Sequence, residues 1–330
     1  YIPFCNTKKS RKSKMNINDK KLTIIKWTLE IALIIILSFM YYLIQPIQTP
    51  KVLQIPQGSI NQIIAHLHNN HFNVSKLDSL LLRFIGSPQS GWINLEQTRL
   101  TRADFLYKLT TAKAPLVSIT LVPGETSYIF LQQLSTSLTL SHKDLLNEFY
   151  LQTPIKEGAL VPNTYHIPQG ITEKSLISIL LKQSQEQMYA FSEKVFGTYN
   201  EKKWFRYVAI ASVIEKESAN KEEMPLVASV IYNRIKKGMK LQMDGTLNYG
   251  KYSHIKVTAA RIREDKSFYN TYKNPGIPIL PVCNVSFDAL RAAIFPAKSE
   301  YLYFVKSKDG THKFSCNYST HLANIKHVTK

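Results

Sequence analysis

Residues 22 to 45 read LTIIKWTLEIALIIILSFMYYLIQ, and from Ile31 to Ile44 they carry no charge. A helix of about 20 apolar residues is long enough to cross the hydrocarbon core of a bilayer. Lys26 and Glu30 sit in the first turns, where long side chains snorkel back to the headgroups. Trp27 at one end and Tyr41 and Tyr42 at the other suit interfacial anchors. The first 26 residues also hold eight basic side chains against one acid, Asp19. Basic flanks stay on the cytoplasmic side. The expectation is therefore a basic cytoplasmic tail at 1–21, a transmembrane helix at 22–45, and everything after Pro46 outside the cytoplasm. A cleaved signal peptide is the rival, but Tyr-Tyr-Leu-Ile-Gln-Pro makes a poor cleavage site. Met15 offers an alternative start, which would make residues 1–14 an upstream extension.

Lys and Arg outnumber Asp and Glu by 42 to 23, a net charge of +19, which invites a nucleic-acid reading. Seven of the nineteen excess charges sit in the first 26 residues, and the other twelve suit any anionic partner, from lipid headgroups to acidic wall polymers. The sequence holds no basic-aromatic module, Gly-rich phosphate loop or nucleophile elbow. Cys5, Cys283 and Cys316 form no zinc-like spacing with histidines. No metal, cofactor or nucleic acid is expected. Cys283 and Cys316 would be free to form a disulfide outside the cytoplasm; two unpaired thiols are the alternative.

Pro46 and Pro50 suggest a stiff exit linker at 46–51. Residues 52–55 are strand-like, Pro56-Gln57-Gly58-Ser59 turns, and Ile60, Ile63, Ile64 and Leu67 recur at helical spacing behind an N-cap at Ser59. A strand, a turn with proline and glycine (Pro123-Gly124-Glu125-Thr126) and a helix recur at 117–134, either as an old duplication or as a second use of one good turn. Helical runs at 77–84 and 102–109 and a strand at 92–95 complete a small α+β module over 52–116. Residues 117–330 also read as α+β. Helical patterns lie at 145–150, 171–188, 205–218, 226–235 and 287–295, with a hairpin around Lys308-Asp309-Gly310-Thr311 and a basic C-terminal helix containing His321. The loop EGALVPNTYHIP, 157–168, is either a groove wall or plain packing.

ASVIEKES, 211–218, places two glutamates in an apolar helix. At about 100° per residue, Glu217 falls between Val213 and Ile214 on the Ile210 face, and Glu215 falls on the opposite side with Glu222. A carboxyl group among aliphatic side chains resists ionisation, as a general acid at neutral pH requires. Glu215 is expected to feel no such pressure. A buried ion pair is the other reading of Glu217, since Arg206 projects to the same side.

These residues sit in a wider pattern. ASVIEKES, VASVIYNRIKKGMKLQMDGTLNYG (227–250), NTYKNPGIPILPVCN (270–284), LRAAIFPAKSEYLYFVKSKDGTHKFSCNYSTH (290–321) and EGALVPNTY (157–165) together resemble the MltG/YceG-like endolytic murein transglycosylases. The resemblance implies a membrane-anchored enzyme with a LysM-like module at 52–116 and a catalytic domain at 117–330. It implies cleavage of the MurNAc-GlcNAc β-1,4 bond of nascent peptidoglycan, leaving 1,6-anhydroMurNAc ends. Glycosidases that use water generally need two carboxylates; a lytic transglycosylase manages with one, because the sugar's own 6-hydroxyl attacks. The family glutamate maps to Glu217. Family motifs suggest Asn233, Arg234, Gln242, Asp244, Thr246, Tyr249, Asn270 and Tyr272 as substrate-binding residues. Peptidoglycan synthases of elongation or division are the implied partners. The alternative is a non-catalytic membrane-anchored glycan binder or scaffold. Two departures stand out. Gly245 replaces a proline common in the family, which suggests a looser loop, and Leu280 and Cys283 stand where smaller residues are usual.

Overall fold

The computed structural model describes residues 17–329 and divides into two compact units, one ending at Ala114 and one beginning at Pro115. Most of the basic tail, with Cys5 and Met15, lies outside the described residues.

In the first unit, α1 (Ile17–Ile44) is followed by β1 (Pro46–Gln48), β2 (Val52–Ile55), α2 (Ile60–Asn69), α3 (Lys76–Ile85), β3 (Gly91–Asn94), β4 (Arg99–Thr101) and α4 (Arg102–Thr111). Among the described residues α1 is the one helix long and apolar enough to cross a membrane, and none of its apolar stretch is buried. The expected linker at 46–51 is in part a strand: β1 pairs antiparallel with β4, Ile47 opposite Leu100. Burial of Ile47 drives this. Pro46 is tolerated because it is the first residue of a two-stranded edge. β2 and β3 pair antiparallel around the two intervening helices, a β-α-α-β unit. Capping boxes start both helices, Ser59 with Gln62 and Ser75 with Asp78, so orphan N–H groups of each first turn are satisfied. Ile47, Ile55, Ile63, Leu82 and Phe105 fill the core between them.

The second unit opens with β5 (Leu116–Thr120), α5 (Ser127–Leu138), α6 (His142–Gln152) and β6 (Thr164–Pro168), with β5 and β6 paired antiparallel. The long α7 (Glu173–Phe196) leads to α8 (Glu201–Glu217) and α9 (Met224–Lys236). A loop with two short 3-10 turns follows, then α10 (Ala259–Glu264), α11 (Phe287–Ile294), the hairpin β7 (Tyr303–Lys306) and β8 (His312–Ser315), and α12 (Tyr318–Thr329).

The central element is α8. Residues 208 to 214 are buried without a break, so the helix has no solvent face there. α9 and α11 both pack on it. A helix apolar on all sides is a core helix, and its small residues Ala209, Ala211 and Ser212 let the neighbours approach. The loop 157–161 is likewise buried. Its backbone is tied down by the Asn284 and Ser184 side chains, which accept from Leu160 and Val161 N–H. It packs the interior and is no groove wall.

Candidate functional site

Glu217 is the last residue of α8, with Ser218 as its C-cap. Ending the helix there carries a carboxyl group out of the core and onto the edge of a cavity of about 350 Å³. The cavity brings Glu217 together with four of the expected residues, Arg234, Gln242, Asp244 and Tyr272. It is also lined by Leu241, Met243, Tyr303, Phe304, Tyr318 and His321.

Glu217 is half-buried, and its pKa is raised to about 7. Burial is the main cause and the charge of Asp244 adds to it; the Gly245 N–H and the Arg234 charge pull the other way. The Gly245 N–H donates to Glu217 Oε1 at 2.6 Å. This contact needs glycine. A Cβ at 245 would lie 2.7 Å from Lys216 Cβ and 2.8 Å from Glu217 Oε1. The loop is therefore not looser for lacking proline. It is packed against the carboxyl group, and a proline would have no N–H to offer it.

Arg234 is almost fully buried and held by carbonyls: its Nε donates to Leu302 O and its Nη1 to Leu241 O. It lies over the Tyr303 ring, 5.1 Å from the centroid. Tyr272 donates to Asp244 Oδ1 at 2.6 Å. Gln242 is exposed and sits at φ +51, a left-handed conformation uncommon for a non-glycine residue; its N–H donates to Thr271 O. Backbone strain of this kind gathers at functional sites.

The other expected residues stand behind the cavity. Asn233 donates to the Ser299 and Tyr301 carbonyls, holding the chain that enters β7. Thr246 is buried and donates to Met243 O. Asn270, fully buried, donates to the Ile262 and Asp265 carbonyls and accepts from Tyr272 N–H. Tyr249 donates to Asp265 and stacks on Tyr269. These four shape the walls and do not line the cavity.

One sequence-based reading is corrected here. Glu215 is not solvent-facing: its Oε2 accepts from Ser286 N–H at 2.9 Å and Ser286 Oγ at 2.7 Å, and burial raises its pKa. The helical wheel assumed one buried stripe, whereas α11 covers the second side of α8. Of the two alternatives left open for the C-terminal cysteines, the structure has the unpaired one: Cys283 is buried, Cys316 is exposed, and both are free. His312 of β8 lies off the cavity, with its N–H and its ring both engaging the Glu223 carboxylate. It is β7 and α12 that form the wall, through Tyr303, Phe304, Tyr318 and His321. The aromatic pattern at 301–305 and the quoted NYSTH carried the signal for these residues, but nothing local says which face of a short hairpin meets a cavity.

A family model for the YceG-like family matches residues 53–327. The chain is 32% identical over 166 residues to a Bacillus subtilis (strain 168) protein named endolytic murein transglycosylase, covering 50% of this chain and 46% of that protein. It is 34% identical over 178 residues to a Streptococcus pneumoniae serotype 2 protein of the same name, covering 51% and 31%. It thus matches less than half the length of either relative. A YceG-like protein of Listeria monocytogenes of known structure superposes with a TM-score of 0.56 at 25% identity, covering 84% of this chain and 99% of that one. With five-sixths of its length matched by one family model, and with a solved relative of the same overall fold, the chain belongs to the YceG-like family.

Proposed function

We propose that this protein is a membrane-tethered lytic transglycosylase of peptidoglycan in which Glu217 is the general acid and then the general base. One observation carries the reading: a single glutamate at the end of a core helix opens on a polar cavity with its pKa lifted to about 7. The names of the two relatives support the same substrate class.

The hydrogen bond from Gly245 occupies Oε1. Oε2 is then the oxygen left to carry the proton. Oε2–H protonates the glycosidic oxygen as the bond from C1 of MurNAc to O4 of GlcNAc breaks. The 6-hydroxyl of the same MurNAc attacks C1, and its proton passes to the Glu217 carboxylate. No water is consumed, the acid is restored, and the new end is 1,6-anhydroMurNAc. Tyr303, Tyr318 and His321 offer flat faces for sugar rings, while Gln242, Asp244 and Tyr272 supply polar contacts; such mixed linings suit orienting a ligand. Asn233, Thr246, Tyr249 and Asn270 act through the backbone they hold.

In the same proposal α1 is a single-pass anchor in the inner (cytoplasmic) membrane, with the N-terminus cytoplasmic and both units outside. The module at 52–116, whose β-α-α-β order suits a LysM-like fold, contacts glycan strands. Peptidoglycan synthases are the natural neighbours of such an enzyme. A reporter active only outside the cytoplasm, fused after residue 330, should be active; a silent reporter beside an active cytoplasmic one reverses the topology. The decisive experiment is digestion of purified glycan strands by wild type and Glu217→Gln, with mass analysis of the ends. Wild type should release 1,6-anhydro ends and the variant almost none. Binding without release by wild type would leave a scaffold. Ends that have gained water would mean hydrolysis, with Asp244, in the same cavity, as the second carboxylate.

A further inference from the structure

The first unit is clamped to the end of α1. Tyr42, in the last turn of α1, donates to Asp78 Oδ1 at 2.9 Å and shares a 2.8 Å hydrogen bond with Ser75 Oγ, both at the start of α3. Arg102, the first residue of α4, donates to Tyr42 Oη at 3.1 Å and lies over its ring at 4.2 Å. The same guanidinium pairs with Asp78 at 2.6 Å, and both side chains are buried. Arg102 N–H donates to Gln45 O, and Pro46 already belongs to β1. No slack chain separates the membrane-crossing stretch from the folded module.

α3 therefore begins at the level where α1 leaves the bilayer. Leu77, Leu80 and Phe84 of α3 stand one above another on a helical face and are exposed, Phe84 at 83%. The rest of the first unit covers Leu77 and Leu80 only in part, at 40% and 48% exposure, and leaves Phe84 almost bare. The stripe borders a groove of about 680 Å³ between α2 and α3, whose lining includes His68, Lys76 and Arg83 and no carboxylate. Exposed apolar side chains beside basic ones are the composition of a helix that lies in a headgroup layer.

We propose that α3 seats the first unit on the outer leaflet of the membrane that α1 crosses, with Leu77, Leu80 and Phe84 in the upper acyl region and Lys76 and Arg83 against anionic headgroups. The proposal rests on α1 being a membrane span. Leu77 lies between Ser75 and Asp78, the two residues that hydrogen-bond Tyr42 at the end of α1, so the bilayer is the occupant already within reach. Seating would hold the module at a fixed height above the membrane instead of letting it swing about the helix end.

The test uses the full chain in nanodiscs containing phosphatidylglycerol, with Cys5 and Cys316 changed to Ser and the buried Cys283 kept. A bimane label, itself apolar, is placed by Phe84→Cys, by Leu33→Cys in mid-α1, or by Gln97→Cys. Gln97 lies beyond the end of the β1–β4 pair remote from α1. Lipids with spin-labelled acyl chains act as quenchers. A face buried about 5–10 Å into the leaflet should be quenched about three-fold or more over the Gln97 position. Leu80→Asp, or replacing phosphatidylglycerol with phosphatidylcholine, should cut quenching at 84 and leave it unchanged at 33. An unquenched label at 33 would show that α1 does not span, which sinks the anchor itself. Quenching at 33 with a label at 84 no more quenched than at 97 overturns the seating alone. So does oxidative cross-linking between two chains through 84 in place of quenching, which would assign the stripe to a second copy.

Discussion

Glu217 and Glu157 are both acidic residues of the second unit, and neither has a basic side chain within ion-pair distance among the described residues. Burial lifts both, Glu157 to about 8 and Glu217 to about 7. Their surroundings differ. Glu157 is 6% exposed in the packed 157–161 loop, and its Oε1 accepts from Ser127 N–H, Ser127 Oγ and Gly158 N–H. Glu217 accepts one backbone N–H and opens on a cavity lined by Tyr303, Tyr318 and His321. A lifted pKa is thus a consequence of burial anywhere. It becomes available for chemistry only where a substrate can reach the proton.

The largest effect expected from this contrast is on rate. Losing a positioned proton donor costs about 10²–10⁴ in turnover, so Glu217→Gln should lose nearly all release of anhydro ends. Glu157→Gln should stay within a few-fold of wild type, since its carboxyl is already neutral at pH 7 and the amide oxygen still accepts from Ser127. If both variants were equally inactive, the cavity would no longer distinguish the two sites.

The second effect is on stability. A carboxyl whose folded pKa is raised binds its proton in the native state while the unfolded chain has lost it. Stability then falls as pH rises from the unfolded value, 4.5, to about 8, at roughly 1.4 kcal/mol per pH unit. Glu157→Gln should remove that slope and raise the denaturation midpoint most at pH 8. Urea titrations at pH 5 and pH 8 measure it. A variant with an unchanged pH slope would mean that Glu157 reaches water when ionised.

The third effect separates the two sites by pH profile. A general acid must be protonated, so wild-type kcat/KM should fall as pH passes about 7. The Asp244 charge helps to raise the Glu217 pKa. Asp244→Asn should therefore move the falling limb to lower pH, while Glu157→Gln leaves it in place. A limb that stays put in Asp244→Asn would detach Asp244 from the acid.

Much of this was legible in the sequence because it rests on local pattern. The apolar run, the Ser59 cap, the hairpin turn at 308–311 and the position of Glu217 on α8 need only neighbours in the chain. Gln242, Asp244 and Tyr272 could be named from motifs, but their meeting with β7 and α12 is a tertiary fact. The Glu157 loop was ambiguous because Gly and Pro mark turns in the interior as readily as at a groove. Pro46 read as a linker because a strand of three residues has no periodicity to detect. Gly245 was misjudged because its value lies in what a Cβ would strike, Lys216 and Glu217, which are 29 and 28 positions away.

Glu215 offers the smallest effect and the closest control, two residues from Glu217 on the same helix. Its carboxylate accepts from the N–H and hydroxyl of Ser286, and Ser286 in turn accepts from Ala289 N–H as the N-cap of α11. The group holds the start of one core helix against the end of another and does not line the Glu217 cavity. Glu215→Gln keeps one acceptor oxygen but lacks the charge that strengthens both bonds. Net hydrogen bonds of this kind are worth about 1 kcal/mol, which corresponds to a fall of about 2–4 °C in Tm for a unit of this size. Turnover and its pH limb should match wild type at a temperature where both proteins are folded. Calorimetry and end-group analysis on the same sample measure the two together. If turnover collapsed with Tm unchanged, the proton donor would have been assigned to the wrong glutamate of the pair.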